Sequence, residues 1–413
     1  MSDAATAVER RFETEAPLGD AARAAPAAAE PVVRAAARIG DIEMLRGIAV
    51  IFVLIEHTSF NLVHWGSPVM AQIRTYFGLW TGVDLFLAIS GFVIARGLLP
   101  VLESCADSVP FWNAVLAFWV RRAWRLLPSA WLWLALLLAA SAGLNHSGAF
   151  GTVSTNFRMT VAAVLDVANF HVAENIFRRP LGAAFPYWSL SLEEQFYLLL
   201  PVAAFCCRRF LPMALAALVL VQIFLPRHEM ANLMNLRSDA LSLGVLIAIW
   251  ARRPSYALWE PTALGRSRFL RLAVLILSLW LIASMGSHAL NLSPMRVGIV
   301  ALFSALLVFI ASYDRDYLMR NGPAKTVLLW FGSRSYALYL THIPAFFLTR
   351  EIWFRIEPAG TDFGTGAFAS RYFVTAICLL ACFAELNYRC VETPLRRKGA
   401  GIAARLAARP LPR

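Results

Sequence analysis

Ten apolar runs, separated by short segments rich in arginine, recur along this chain of 413 residues and constrain its fold more than any other feature. They cover residues 46–64, 79–99, 126–142, 190–206, 211–226, 239–251, 270–286, 296–312, 330–349 and 370–389. Most approach the ~17–25 residues that a helix needs to cross a bilayer, and only 239–251 is short by itself. The pattern therefore predicts an all-α, polytopic integral membrane protein with about ten transmembrane helices.

The amino-acid composition agrees with a membrane protein and weakens the other classes. Hydrophobic residues make up 59% of the chain and charged residues 15%, whereas soluble proteins carry roughly 25% charged residues. The net charge of +12 comes almost entirely from arginines that cluster between apolar runs, which is typical of cytoplasmic loops. We therefore expect a lipid bilayer, and no nucleic acid, as a partner. The six cysteines lack the spacing of a zinc site or a disulfide framework, so we expect no bound metal.

Loop charges also predict the topology of the chain. If the N-terminus is cytoplasmic, the densest arginine clusters, at 121–125, 252–253 and 266–271, all fall on the cytoplasmic side, and both termini lie there. The segment from Met159 to Phe170 is too short to span a bilayer and contains Asp166, so we interpret it as a surface or re-entrant segment.

Three regions follow from this topology. Residues 1–40 are rich in alanine and arginine, contain three prolines and have no apolar run, so a disordered cytoplasmic tail is predicted there. Residues 41–397 contain all the apolar runs and form the predicted transmembrane domain. Residues 398–413 are predicted to be a basic cytoplasmic tail.

The first apolar run contains two residues that a spanning helix does not need, Arg46 and His57. Eleven residues of α-helix turn through about 1,100° and rise about 16 Å, so the two side chains share one face. The histidine then lies about halfway across the bilayer. A titratable imidazole at that depth is costly, and it indicates a functional site.

Asp84, in the segment GVDLFLAISGFVI, is another costly residue inside an apolar run. From the residues alone, it either pairs with an arginine in a structural role or orients a catalytic histidine. Ser90 and Gly91 in the same run favour close packing of helices over chemistry.

The segment RRAWRLLP places Arg122 and Arg125 three residues apart, on one side of a helix. Two such guanidinium groups at the cytoplasmic end of a span could clamp phosphates, because arginine binds phosphate in bidentate fashion and keeps its charge. The alternative, which the spacing alone favours, is a cluster that reaches lipid headgroups and only sets the topology.

A third polar segment, WSLSLEEQFYLLLP, contains Trp188, Glu193 and Glu194 at the outer end of a predicted span. Adjacent carboxylates there could handle protons or bind sugar hydroxyls, and flanking aromatic rings commonly stack on sugars. The alternative is an aromatic belt with two solvated acids.

Three later motifs carry weaker signals. His342, in SYALYLTHIP, is either functional or a hydrogen-bonding group between packed helices. Arg237-Ser238-Asp239 is predicted to form a local ion pair at the start of a span. Glu392-Thr393-Pro394 closes the last span and is interpreted as structural.

In this order and spacing, the segments resemble the membrane-bound acyltransferase-3 family, whose members O-acylate bacterial surface glycans, lipopolysaccharide and some antibiotics. The resemblance runs from about residue 42 to residue 397 and is carried by LRGIAVIFVLIEH, GVDLFLAISGFVI, RRAWRLLP and WSLSLEEQFYLLLP. RSDAL, SYALYLTHIP and VETPLRR add weaker support. The resemblance implies a multi-pass enzyme of the cell inner membrane.

The reaction implied by the resemblance is O-acylation, with acetyl as the expected group. Cytoplasmic acetyl-CoA, or another acyl-CoA, would be the co-substrate. The acceptor would be a hydroxyl of an extracytoplasmic glycan or lipid-linked glycan, such as lipopolysaccharide O-antigen or exopolysaccharide. No hydrolase-like extracytoplasmic domain follows the spans, so the membrane domain is expected to complete the transfer alone or with a separate extracytoplasmic partner.

The resemblance also implies three groups of site residues. The expected catalytic group is His57, Asp84 and Glu194, in which His57 removes the hydroxyl proton and Asp84 orients it. The expected donor-binding group is Arg46, Arg122 and Arg125. The expected acceptor-side group is Trp188, Glu193 and His342.

Two other function classes remain open for the same sequence features. A flippase or transporter of glycans or lipids would use the buried charges to line a path, and it would consume no acyl donor. A structural membrane scaffold would need neither an imidazole nor acids inside its spans. Labelled acetyl-CoA separates these classes, because only an acyltransferase moves the label onto a glycan.

Overall fold

Helices dominate the computed structural model, which describes residues 38–63, 68–105, 107–176, 178–225, 227, 237–287, 293 and 295–407. The helices are α1 (Gly40–Asn61), α2 (Pro68–Tyr76), α3 (Gly82–Glu103), α4 (Ser108–Gly143), α5 (Val153–Val164), α6 (Ala168–Asn175), α7 (Tyr187–Cys207), α8 (Leu211–Ile223), α9 (Asp239–Trp250), α10 (Thr262–Arg266), α11 (Arg268–Met285), α12 (Arg296–Ala311), α13 (Pro323–Ser333), α14 (Ser335–Ile356), α15 (Ala369–Leu386) and α16 (Thr393–Ala407). A π turn, Asn387–Glu392, joins the last two helices. Of the predicted disordered tail, residues 1–37 lie outside the described residues.

The helical content confirms the predicted all-α class. Each of the ten predicted apolar runs coincides with a helix over most of its length. Among the residues that the structure describes, five helical segments are long and apolar enough to cross a membrane, and they are Leu79–Glu103, Ser108–Gly143, Tyr187–Ile223, Arg268–Met285 and Gly366–Ala407. The total of ten crossings and the cytoplasmic side of each terminus stay predictions.

Close packing of α3 against α9 brings the polar residues of α3 near the middle of the molecule. A Cβ atom on Gly91 would lie 2.0 Å from the carbonyl oxygen of Leu241, and one on Gly244 would lie 2.1 Å from that of Ala88. Only glycine permits such an approach of two helix backbones. The expectation of close packing is thus confirmed for Gly91.

Helix α4 is a single helix of 36 residues, and its arginines lie in its middle rather than before its start. Helix α16 packs along it, and a Cβ atom on Gly399 would lie 2.2 Å from the Cβ of Trp124. Residues 398–407, expected to be part of a basic tail, therefore continue as a packed helix.

Two short helices, α5 and α6, take the place of the segment expected to be re-entrant. They contain 12 and 8 residues, so neither is long enough to cross a bilayer alone. Large apolar side chains on the outside of this hairpin are exposed, among them Phe157, Leu165 and Phe170. Its turn, around Asp166, packs against α7, where the Ser191 hydroxyl accepts a hydrogen bond from the Ala168 amide at 3.3 Å.

The start of α1 is fixed by an ion-pair cluster. Lys325 on α13 contacts the carboxylates of Asp41 and Asp316, and Asp314 accepts a hydrogen bond from the Gly40 amide at 2.8 Å. Burial lowers the pKa of Lys325, but the two carboxylates outweigh it and leave the pKa above its usual value. This anchor holds the helix that carries Arg46 and His57.

Candidate active site

A pair of hydrogen-bonded histidines forms one end of the candidate site. His57 Nδ1 lies 2.7 Å from His342 Nε2, although the two residues are 285 positions apart in the sequence. The rings are nearly parallel, with centroids 4.9 Å apart and an interplanar angle of 11°. His342 is fully buried, whereas His57 is half-buried and meets the edge of the Phe185 ring at 5.1 Å. The structure thus joins the predicted base to a residue that had been expected on the acceptor side.

A backbone carbonyl orders the protons of this pair. His342 Nδ1 lies 2.7 Å from the carbonyl oxygen of Tyr339, which can only accept, so Nδ1 carries the hydrogen. The Nε2 of a neutral His342 is then an acceptor, and His57 donates to it from Nδ1. His57 Nε2 is left with its lone pair and makes no hydrogen bond within the described residues. This arrangement leaves a base with its free nitrogen in the half-buried part of the pair.

Three arginines line a cavity of about 70 Å³. Arg46 comes from α1, and Arg122 and Arg125 come from the middle of α4. In the described part of the chain none of the three guanidinium groups forms an ion pair or hydrogen bond, although Arg122 stacks on Tyr197 with 5.2 Å from Cζ to the ring centroid. Three unpaired cations around one space form a receptor for an anion. We call this space the arginine cavity.

Glu193 also lines the arginine cavity, which differs from its expected place on the acceptor side. Its carboxylate contacts the hydroxyls of Ser90 and Tyr197, which are themselves 2.8 Å apart. The carboxylate interacts electrostatically with Arg46 and Arg122. Glu193 therefore belongs with the donor-binding arginines in space.

Tyr339 connects the arginine cavity to the histidine pair. Its side chain lines the cavity, and its ring centroid lies 5.7 Å from that of His342. The phenol hydroxyl is fixed by the Ser189 hydroxyl at 2.7 Å and donates to the carbonyl oxygen of Pro186 at 2.8 Å. Tyr339 thus contacts both parts of the candidate site: its side chain lines the arginine cavity, and its carbonyl oxygen accepts the hydrogen bond from His342.

Asp84 pairs with an arginine and not with a histidine. Its carboxylate contacts the guanidinium of Arg237, and both side chains are buried. The arginine is held between two tryptophans, with its Cζ 4.8 Å from the ring centroid of Trp80 and 5.4 Å from that of Trp188. The expectation that Asp84 orients His57 is therefore wrong, because its charge is already used by Arg237 and His57 has a different partner.

The same region corrects two further expectations. Arg237 and Asp239 do not form the predicted local pair, because Asp239 instead binds Arg227 through two hydrogen bonds of 2.9 and 2.6 Å. Trp188 lies against Arg237, so it packs on a buried cation. This packing differs from the expected stacking of the ring on a sugar, because Arg237 occupies one of its faces.

Glu194 faces away from the arginine cavity and meets the tip of the α5–α6 hairpin. Its carboxyl group lies near that of Asp166, and the two groups interact electrostatically. The next residue, Gln195, donates to the Asp166 carbonyl oxygen at 2.6 Å and to the side-chain oxygen of Asn169 at 2.9 Å. Two neighbouring carboxyl groups do not readily ionise together, so this pair can hold a proton. Within the described ranges no group of three or more His, Cys, Asp or Glu side chains is arranged to hold a metal.

Sequence reasoning missed the aromatic hydroxyls of the site. Tyr336 and Tyr339 precede His342 at intervals of three residues, so all three lie near one side of α14. Tyr197 follows Glu193 by four residues and shares its face of α7 in the same way. The spacing signal was present in both segments, but a tyrosine in an apolar run is more often a packing residue, so it was not singled out.

Comparison with known proteins adds a family and several relatives. The chain matches the acyltransferase-3 family, described as an acyltransferase domain, over residues 39–384. It is 26% identical over 387 residues to the O-acetyltransferase OatA of Staphylococcus aureus, covering 87% of this chain and 57% of that protein. It is 24% identical over 387 residues to the peptidoglycan O-acetyltransferase OatA of Listeria monocytogenes, covering 87% and 56%. The chain thus spans a little over half the length of these relatives, and no solved structure matches it.

Proposed function

Because the chain belongs to the acyltransferase-3 family, we propose that it transfers an acyl group, with acetyl expected, from acyl-coenzyme A to a hydroxyl of a glycan. The observation that carries the proposal is the contact of Tyr339 with both the arginine cavity and the histidine pair. The arginine cavity can receive the phosphates at one end of acyl-coenzyme A, and the histidine pair can supply a base near the thioester at the other end. Tyr339 joins the two parts of the site.

The arginine cavity is the proposed site for the phosphates of coenzyme A. Among the described residues, no carboxylate is in ion-pair contact with Arg46, Arg122 or Arg125, so their positive charge is available to a ligand. Guanidinium groups bind phosphate oxygens in bidentate fashion and stay charged at any physiological pH. In the proposed topology, this cavity opens toward the cytoplasm, where acyl-coenzyme A is made.

His57 is the proposed base of the reaction. Its Nε2 takes the proton of the acceptor hydroxyl while the oxygen attacks the thioester carbonyl carbon. The carbon–sulfur bond then breaks, the acyl group stays on the glycan oxygen, and the coenzyme A thiolate leaves. The imidazolium returns its proton to that thiolate, so no proton is gained or lost overall. A transient acyl-imidazole is the less favoured alternative.

His342 has the role of a positioning residue in this proposal. Its hydrogen bond to the Tyr339 carbonyl keeps Nε2 unprotonated, and this nitrogen in turn keeps the hydrogen of His57 on Nδ1. The tautomer that can act as a base at Nε2 is thereby selected. When His57 becomes an imidazolium, it still donates to the same acceptor.

The proposed acceptor is a glycan or lipid-linked glycan at the outer face of the cell inner membrane. Lipopolysaccharide O-antigen and exopolysaccharide are two candidate acceptors. The name of the Listeria relative adds peptidoglycan as a third, since that protein is named for this substrate. The pair of Glu194 and Asp166 is the proposed acid group on the acceptor side, because it faces away from the donor cavity.

The test uses radiolabelled acetyl-CoA and membranes that contain the full chain, with peptidoglycan, lipopolysaccharide and exopolysaccharide recovered separately. We expect label on one of these glycans with the unchanged protein and a loss of about 10²–10⁴-fold in rate for His57→Ala. His342→Ala should lower kcat by less and leave KM for the donor unchanged, because it acts through His57.

His171→Ala is the matched control, since it removes a histidine of α6 that has no part in the pair. Each variant must reach the membrane at the level of the unchanged protein. Full activity of His57→Ala at that level would refute the base assignment. Absence of label from every glycan, together with movement of an unmodified glycan across the membrane, would instead favour a flippase.

A further inference from the structure

The π turn between α15 and α16 holds polar atoms that are buried without a partner. Asn387 and Glu392, at its two ends, are each 3% exposed. Within the described residues, Asn387 Nδ2, Glu392 Oε2 and the hydroxyl of the following Thr393 make no hydrogen bond. π turns occur mostly as single insertions in helices and are frequent at functional sites. Two of these unpartnered atoms belong to the motif Glu392-Thr393-Pro394, which the sequence alone favoured as structural.

Helix α4 presents two more unpartnered atoms to this turn. Arg125 Nε and the hydroxyl of Ser129, one helical turn apart, are buried without a hydrogen bond inside the described ranges. The Trp133 indole donates to Asn387 Oδ1 at 3.1 Å, which fixes the amide so that Nδ2 is the free end. We call these five atoms, on Arg125, Ser129, Asn387, Glu392 and Thr393, the polar band. Buried polar atoms in proteins nearly always have partners, so a cluster without them needs an occupant.

The polar band lies beside the arginine cavity. The Glu392 carboxylate interacts electrostatically with Arg46 and Arg125, and also with Tyr336, and all three residues line the cavity. The only ion pair of Glu392 in the described part of the chain is a long one, 3.8 Å from Arg396 on the next turn of the helix. Its Oε2 atom makes no hydrogen bond within the described residues, and Arg125 is the residue of the band that also lines the cavity.

We propose that the polar band binds the pantetheine arm of the acyl-coenzyme A donor, an inference that rests on the proposed function. The arm is the segment between the phosphates and the thioester, and it carries two amides and a hydroxyl. Its amide N–H groups match the acceptor Glu392, and its carbonyl oxygens match the donors Asn387 and Arg125. The hydroxyls of Ser129 and Thr393 can do either. The donor would then be held at its phosphates by arginines and along its arm by the band.

The test compares three ligands on the purified full chain in nanodiscs, by calorimetry. Acetyl-CoA has both phosphates and arm, adenosine 3′,5′-bisphosphate has phosphates without the arm, and S-acetylpantetheine has the arm alone. Glu392→Gln and Ser129→Ala should each weaken acetyl-CoA and S-acetylpantetheine by about tenfold, the effect of one lost hydrogen bond. Both variants should bind the bisphosphate as tightly as the unchanged protein or more tightly, which also shows that they are folded.

Arg396→Gln is the matched control, because it removes the ion pair of Glu392 but no atom of the band. It should leave the affinity for all three ligands unchanged. Equal weakening of acetyl-CoA and bisphosphate by Glu392→Gln would overturn the proposal, since the carboxylate would then act only through the arginines. Unchanged affinities in both variants would also overturn it and would assign the band to ordered water. Failure of the unchanged protein to bind acetyl-CoA would refute the proposed donor itself, and this result is read before any variant is compared.

Discussion

The molecule contains two groups of inward-facing arginines that differ in their partners. Arg227 and Arg237 are fully buried, and each contacts a buried aspartate, Asp239 or Asp84. The arginines of the cavity come from α1 and α4, are half-buried, and form no ion pair in the described ranges. Both groups are made of the same side chain, and both lie on helices or at their ends.

The difference between the groups indicates their roles. A guanidinium removed from water is costly unless a carboxylate and hydrogen bonds compensate it, and Arg237 has both a carboxylate and two tryptophan faces. The paired group is therefore a structural connection between α3 and the start of α9. The cavity group has no carboxylate in ion-pair contact within the described ranges, and its charge is available to an anionic ligand that is not part of the chain. Substitutions in the paired group should consequently lower stability, whereas substitutions in the cavity group should lower the affinity for the donor.

The largest effect is expected for breaking the paired group. Asp84→Ala leaves the guanidinium of Arg237 buried between two tryptophans without its carboxylate, which should cost about 3–5 kcal/mol of stability. We expect a large drop in thermal unfolding temperature in detergent and in the amount of protein in the membrane. The double variant Asp84→Leu with Arg237→Leu should recover much of this loss, because no unpaired charge remains. Normal stability of Asp84→Ala would remove the structural role of the pair.

The second-largest effect is expected when one arginine of the cavity group is removed. Arg122→Ala and Arg125→Ala each remove a cation that has no ion-pair partner in the described part of the chain. Stability should therefore be kept or raised, while donor affinity should fall about 10- to 100-fold. Arg121→Ala is the matched control, since it removes an arginine of the same helix that does not line the cavity. Thermal unfolding measures the effect on stability, and calorimetry with acetyl-CoA measures the effect on donor affinity. If these variants were less stable but bound acetyl-CoA as tightly as the unchanged protein, the cavity arginines would have a structural role like that of the paired group.

The sequence predicted those features that depend on local spacing. Arg122 and Arg125 do share one side of α4, and they line one cavity together with Arg46. Their role in binding the donor stays a prediction. The apolar runs predicted the positions of the helices, because the burial of a segment depends on the apolar residues within that same segment. Residues 46 and 57 lie on one helix whose regular geometry continues until Ser59, just past His57.

Partners across the fold could not be predicted in this way. His57 and His342 are 285 residues apart, and Asp84 and Arg237 are 153 apart, so nothing in the local pattern pairs them. Only the packing of α1 on α14, and of α3 beside the start of α9, brings these groups together. The sequence showed correctly that Asp84 needed a partner, and it left open which of two partners would be found.

Adjacent residues gave a different error. Glu193 and Glu194 were treated as neighbours with related tasks, but successive residues of a helix point about 100° apart. The first faces the arginine cavity and the second faces the α5–α6 hairpin. Substitutions of Glu193 and of Glu194 should therefore have different effects. This difference is the most sensitive test of the comparison between the paired arginines and the cavity arginines.

The smallest effect is expected for Glu193→Gln, which removes the one carboxylate that lines the arginine cavity among the described residues. Glutamine keeps an oxygen that can accept from Ser90 and Tyr197, so the fold should be unaffected. Without the negative charge, the cavity attracts an anion more strongly, and acetyl-CoA should bind on the order of 3- to 10-fold more tightly. Calorimetry measures this gain, with Glu194→Gln as the adjacent control on the other face of α7. A changed KM for the glycan with an unchanged donor affinity would return Glu193 to the acceptor side, and the arginine cavity would then have no carboxylate that tunes it.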